Sequence, residues 1–282
     1  MKRFLFYLGL FLLALNLTGL FIPLRNPAAQ FEKNGKVRQG PPLTEGEVYQ
    51  RISRNGESNA EYVLKVNSAL HKGIVDYWDD DGIAKYNLRV PVYENYLLFL
   101  AQYVFPEKFK KYTYYDTKKA IARGVGQCNQ QAMIMAQLLE RQGIESRVVS
   151  LTGHVVAMAR VDEESDTWWV VDPDYGVVVK RSISEIENDP ELIRGAYTES
   201  GYDRATIDLL VKMYRPWGNQ TWESARAYYG KKYYVEILSY AAIWLIPMIL
   251  LLPYLDSVCC STQLLRGRVA RRQWRILYSN RL

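Results

Sequence analysis

Two apolar runs frame the chain. Phe4–Leu24 is broken only by Asn16 and Thr18, and Ile237–Leu255 carries no charge. Each approaches the ~20 residues that a helix needs to cross a bilayer. The first run is preceded by Lys2 and Arg3 and followed by Pro27-Ala-Ala29, a poor cleavage site, so it reads as an uncleaved anchor, not a signal peptide. Pro247 and Pro253 are tolerated in membrane helices, and Tyr233, Tyr234, Trp244 and Tyr254 suit an interface.

Between the runs the period changes repeatedly. Residues 26–42 are polar and rich in Pro and Gly, which predicts a linker. Thr44-Glu-Gly-Glu47 and Ser58-Asn-Ala-Glu61 are capping boxes, opening helices to about Arg54 and about Trp78. The aromatic-rich stretch Pro91–Phe105 predicts a core helix. Asp116 caps Thr117–Arg123, and after Gly124 a helical pattern runs from Cys128 to Glu140, stopped by Gly143. Strand-like alternation follows at Ile144–Leu151, His154–Val161, Trp168–Asp172 and Val177–Val179, joined by short turns that imply an antiparallel sheet. Helices return at about 183–187, 190–197 and 202–214, and Thr221 is expected to cap a helix leading to the second run. The fold class is α+β.

Charge changes the picture at the ends only. The net charge is +6, but residues 256–282 hold six arginines against Asp256, and Lys2 and Arg3 add to the basic count. The middle of the chain is close to neutral, which argues against a nucleic-acid surface. Basic flanks on both runs place both termini in the cytoplasm and the domain between them outside it, periplasmic or extracellular. The expected organisation is an anchor at 1–25, a linker at 26–42, an extracytoplasmic domain at 43–232, a transmembrane helix at 233–256 and a basic tail at 257–282.

The candidate chemistry starts from the cysteines. Of Cys128, Cys259 and Cys260, only Cys128 falls in the central domain, so that domain has no internal disulfide. A Gly-rich turn, Gly124-Val-Gly-Gln-Cys128, delivers this thiol to a helix N-terminus, where the dipole favours negative charge. His154 stands at a strand start and Asp172 at the end of the next strand. Antiparallel pairing brings both to one sheet edge, giving nucleophile, base and orienter. Asp174 is an alternative orienter. His71 reads as a helix-surface or packed residue. Asp79-Asp-Asp-Gly82 lacks the spacing of a calcium loop. No metal or cofactor is expected, because two histidines and one domain cysteine offer no ligand spacing.

Residues 118–180 carry a resemblance. Gly126-Gln-Cys128 opening a helix, Gly143-Ile144 leading to a strand, His154 starting the next, and Trp168-Trp-Val-Val-Asp172-Pro173 ending a third together resemble the transglutaminase-like superfamily, relatives of papain-type proteases. The Cys–His interval of 26 residues and the His–Asp interval of 18 lie in that superfamily's range. The chain departs from it at Val155-Val156, where many members have Ala-Trp. The resemblance implies a Cys128–His154–Asp172 triad on a papain-like core, with Gln127, Gln130 and Tyr115 as candidates for oxyanion or substrate contact. It implies a membrane-tethered cysteine hydrolase or acyltransferase acting on peptide or amide bonds through a thioester. The competing expectation is an inactive accessory module in a membrane assembly.

Overall fold

The computed structural model describes residues 2–31, 36–37 and 40–254. The tail with Cys259, Cys260 and its arginines lies outside the described residues. In chain order the helices are α1 (Lys2–Gly19), α2 (Glu45–Ile52), α3 (Asn59–Gly73), α4 (Gly82–Lys85), α5 (Tyr96–Ala101), α6 (Pro106–Phe109), α7 (Thr117–Arg123) and α8 (Cys128–Glu140). The strands β1 (Ser146–Ser150), β2 (Val155–Asp162), β3 (Thr167–Asp172) and β4 (Val177–Val179) follow. After them come α9 (Ile183–Asn188), α10 (Arg194–Glu199), α11 (Arg204–Met213), β5 (Gln220–Trp222), α12 (Ala225–Tyr229) and α13 (Lys232–Tyr254).

Two compact units emerge. One draws on residues up to Ile22, on Val92–Leu97 and on residues from Ile237 onward. In it Asn16 Nδ2 donates to Ile243 O, Tyr96 Oη donates to the same carbonyl, and Asn95 Nδ2 donates to Ser239 Oγ. Among the described residues, α13 alone is long and apolar enough to cross a membrane, by length and composition. The expectation of a span at each end is corrected here. The apolar part of α1 is Arg3–Gly19, short of the ~20 residues required. Gly19, its last residue, lies so close to Tyr93 O that a Cβ would clash there, and Pro23 bars the helix from resuming.

The second unit comprises Pro23–Pro91 and Leu98–Glu236. Its five-stranded sheet, in the order β4-β3-β2-β1-β5, is antiparallel throughout. Helix α8 packs its apolar face on β1 and β2; Ala132, Met133, Ala136, Val148 and Val155 share one buried cluster. The other face is covered by α9–α11 through Val156, Val170, Ile186, Leu210 and their neighbours. The capping boxes at Thr44 and Ser58 form as expected, and Asp116 caps α7 through Lys118 and Lys119 N–H.

Two expectations are corrected. The stretch Pro91–Phe105 yields only the six-residue α5, and Tyr103, Val104 and Phe105 are exposed rather than core. Thr221 lies in β5, paired with Val149, and the cap of the following helix is Ser224, which accepts from Ala227 N–H. The described part of the expected linker is bonded to this unit. Asn26 Nδ2 donates to Lys85 O, Lys36 Nζ donates to Asp174 Oδ2, and Val37 O faces His71 Nε2; just before it, Arg25 donates to Leu43 O, Gly73 O and Ile121 O.

Candidate active site

The turn before Cys128 is held by buried polar groups. Val75 N–H donates to Gly124 O and Gly126 N–H returns to Val75 O, a parallel bridge between the end of α3 and the cysteine loop. Arg123 is fully buried; it donates to Val125 O, Tyr112 O and Gln130 Oε1 and lies over the Tyr114 ring. Gln130 in turn bonds Tyr114 N–H and C=O at 2.7 and 2.6 Å. Gly126 is required by close approach, because a Cβ there would meet Gln130 Cγ at 2.7 Å. Upstream, Glu236 accepts from the N–H groups of Tyr115 and Asp116 and from the Tyr112 and Tyr229 hydroxyls. These contacts fix the segment from Tyr112 to Cys128.

Cys128 is the first residue of α8 and is half-buried. Gln127 is the N-cap residue and makes no side-chain cap bond, so it does not occupy the orphan N–H groups of the first turn. His154 sits one residue before β2, and Asp172 ends β3. His154 Nε2 lies 2.7 Å from Asp172 Oδ2, with both side chains buried. Cys128 lies close enough to the same imidazole to favour its charged form. Burial pushes His154 towards the neutral form, but the Asp172 charge and hydrogen bond, with Cys128, outweigh it, and the imidazole titrates well above its usual range. Burial likewise works against ionised Asp172, and His154, the Tyr197 hydroxyl and Lys36 outweigh it, leaving the carboxyl below its usual range.

Of the two candidate orienters, Asp172 takes the histidine. Asp174 instead accepts from Lys36 Nζ at 2.9 Å and Gln131 Nε2 at 3.0 Å. His154, Asp172 and Asp174 present ligand-type atoms within 4.8 Å of one another. A cation there would compete with the Lys36 ammonium, which already neutralises Asp174, and with the histidine on Asp172, so the donor set does not fit a metal.

The structure separates the other candidates. Gln130 has both amide atoms engaged by Tyr114 and Arg123 and is unavailable to substrate. Tyr115 gives its N–H to Glu236, and its ring lies tilted on Tyr229 and edge-on to Tyr233. Gln127 is half-buried beside the thiol.

Several neighbours were not legible in the sequence. Tyr197 donates its hydroxyl to Asp172 Oδ2 at 2.6 Å and meets the Tyr214 hydroxyl at 3.1 Å. The Tyr175 ring stands edge-on to His154, with Lys36 Nζ 3.2 Å from its centroid. His71 is buried rather than on the helix surface; its ring nitrogens face Asp174 O and Val37 O, over Gly176. Burial and Asp174 push the Asp76 carboxyl up to about 7 despite Lys36 and His154 nearby. Trp222 packs on the same cluster as Cys128, and its Nε1 is buried without an acceptor among the described residues. The only sequence signal for these was their aromatic or charged character.

A family model described as the transglutaminase-like superfamily matches residues 91–173, the segment that contains α5–α8 and β1–β3. No curated protein and no solved structure matches the chain.

Proposed function

We propose that the chain is a membrane-tethered cysteine hydrolase or acyltransferase acting on peptide or amide bonds. The observation that carries this reading is the buried 2.7 Å contact of His154 with Asp172, with Cys128 at the start of a helix and close enough to the imidazole to favour its charged form. The superfamily match over residues 91–173 supports it.

In this mechanism the Cys128 thiolate attacks the carbonyl carbon while His154, as imidazolium, is held in orientation by Asp172. The carbonyl oxygen becomes an oxyanion, met by the Cys128 N–H and by the unpartnered Trp222 Nε1–H. Collapse of the tetrahedral species breaks the C–N bond, and His154 gives its proton to the leaving amine. The remaining thioester is attacked by water, or by an amine in a transferase, with His154 as base. Asp172 stays ionised. The catalytic domain spans 43–232 with its motif core at 118–180, and α13 holds it at the membrane on the extracytoplasmic face.

The test is alkylation of the full chain in a Cys259→Ser, Cys260→Ser background. An assembled thiolate–imidazolium pair reacts with iodoacetamide nearly as fast at about pH 6 as at about pH 8, unlike a free thiol with its pKa of about 8.5. His154→Ala abolishes the low-pH reaction. A thiol that reacts only at alkaline pH, or is unaffected by His154→Ala, overturns the reading and leaves the inactive accessory module.

A further inference from the structure

A cavity of about 350 Å³ opens beside α6 and the start of α8. It is lined by Trp78, Lys108, Lys110, Lys111, Asn129 and Lys232. Lys110 and Lys111 share one carboxylate, Asp80, at 3.1 and 2.7 Å. Lys108 and Lys232 pair with no carboxylate among the described residues. Glu107 also lines the cavity, so the four lysines of its wall outnumber the two carboxylates beside them, Asp80 and Glu107, and a net positive charge remains. Converging like charges repel unless an anion is supplied, and an ammonium is a point-charge donor suited to phosphate oxygens.

Two further observations decide where that anion comes from. Lys232 opens α13, the helix long and apolar enough to cross a membrane, and a lysine flanking such a run belongs at headgroup level. The segment that leads into the cavity exposes Leu100, Tyr103, Val104 and Phe105, immediately before Pro106. A contiguous apolar stretch next to lysines is the composition of a surface that enters the acyl boundary while its cations meet lipid phosphates.

The geometry points to this cavity as a binding site for the phosphate of an anionic lipid headgroup. The site goes beyond the acyl-transfer reading and needs none of its catalytic steps; it rests on the membrane tether.

The experiment uses the full chain purified in neutral detergent, with bound lipid counted by native mass spectrometry. The probes are dihexanoyl phosphatidylglycerol, dihexanoyl phosphatidylcholine and inorganic phosphate. The anionic lipid should bind about tenfold tighter than the zwitterionic one, and the preference should weaken with added salt. Lys108→Gln with Lys232→Gln should remove the preference, Lys108→Arg with Lys232→Arg should keep it, and Lys231→Gln, outside the cavity, should leave it unchanged. An unchanged melting temperature of the glutamine variant shows that it folds. Equal binding of the two lipids, a preference that survives the glutamine variant, or displacement of the lipid by equimolar inorganic phosphate would each overturn the proposal, the last by assigning the site to a soluble phosphate. Release of the chain from membranes by alkaline carbonate would sink the tether separately, while the lipid preference is read on the purified chain.

Discussion

Tyr197→Phe isolates the support behind the candidate triad. The substitution keeps the buried ring and deletes only the hydroxyl that donates to Asp172 Oδ2 at 2.6 Å. Packing is preserved, so the loss is that of a hydrogen bond to a buried anion, about 1.5–3 kcal/mol, with a smaller contribution from the Tyr214 hydroxyl left without its partner. Asp172 titrates below its usual range in the folded protein, so the stability it draws from its partners is full above the unfolded carboxyl pKa of about 3.9 and is lost as pH falls through the folded value. The difference between wild type and variant is therefore full at neutral pH and shrinks as pH falls below the unfolded value of about 3.9. Urea titration read by pulse proteolysis of the full chain measures it. A penalty below about 0.5 kcal/mol at neutral pH, or one that is constant across the range, would show that Tyr197 acts through packing and not on the Asp172 charge.

Other outcomes follow from the same geometry. Trp222→Phe should slow acylation of Cys128 by p-nitrophenyl acetate about 10²-fold, as for loss of one oxyanion donor, and leave alkylation by iodoacetamide unchanged, because displacement at carbon forms no oxyanion. Equal slowing of both reactions would assign Trp222 to packing. Asp76, whose carboxyl is pushed up to about 7, binds its proton more tightly when folded, so its ionisation costs stability progressively as pH rises from the unfolded value through 7. Asp76→Asn should therefore stabilise the chain at about pH 8, with the gain fading below about pH 4; a variant less stable at alkaline pH would mean that the Lys36 contact at 3.7 Å outweighs burial.

Local signals were legible where one residue type satisfies a local need. Thr44, Ser58 and Asp116 sit at helix starts with the acceptors that orphan N–H groups require, and each is used. The short turns between the strand-like runs from Ile144 to Val179 implied the antiparallel pairing of β1–β4, because a tight turn returns the chain alongside itself. β5 was not legible: Gln220–Trp222 is three residues without alternation and is a strand only because β1 offers it an edge. The aromatic density of Pro91–Phe105 was misleading, since ring count reports apolar surface and not whether that surface faces a core. At the site, Cys128, His154 and Asp172 could be placed from their positions at element ends. Tyr197, Lys36 and Trp222 could not, because each reaches the site from a segment distant in the chain, and no local pattern encodes that meeting.

The cysteine loop owes its shape to Arg123, Gln130, Val75 and Glu236 rather than to any cross-link. That has a consequence for oxidation. Cys128 is the sole sulfhydryl among the described residues, so an oxidant in the surrounding compartment finds no disulfide to reshuffle there and one thiol to attack. A sulfenic acid on it is reversible and higher oxides are not. The hydrogen bonds that hold the loop use none of the Cys128 sulfur, so they outlast each rung of that ladder while the candidate nucleophile does not.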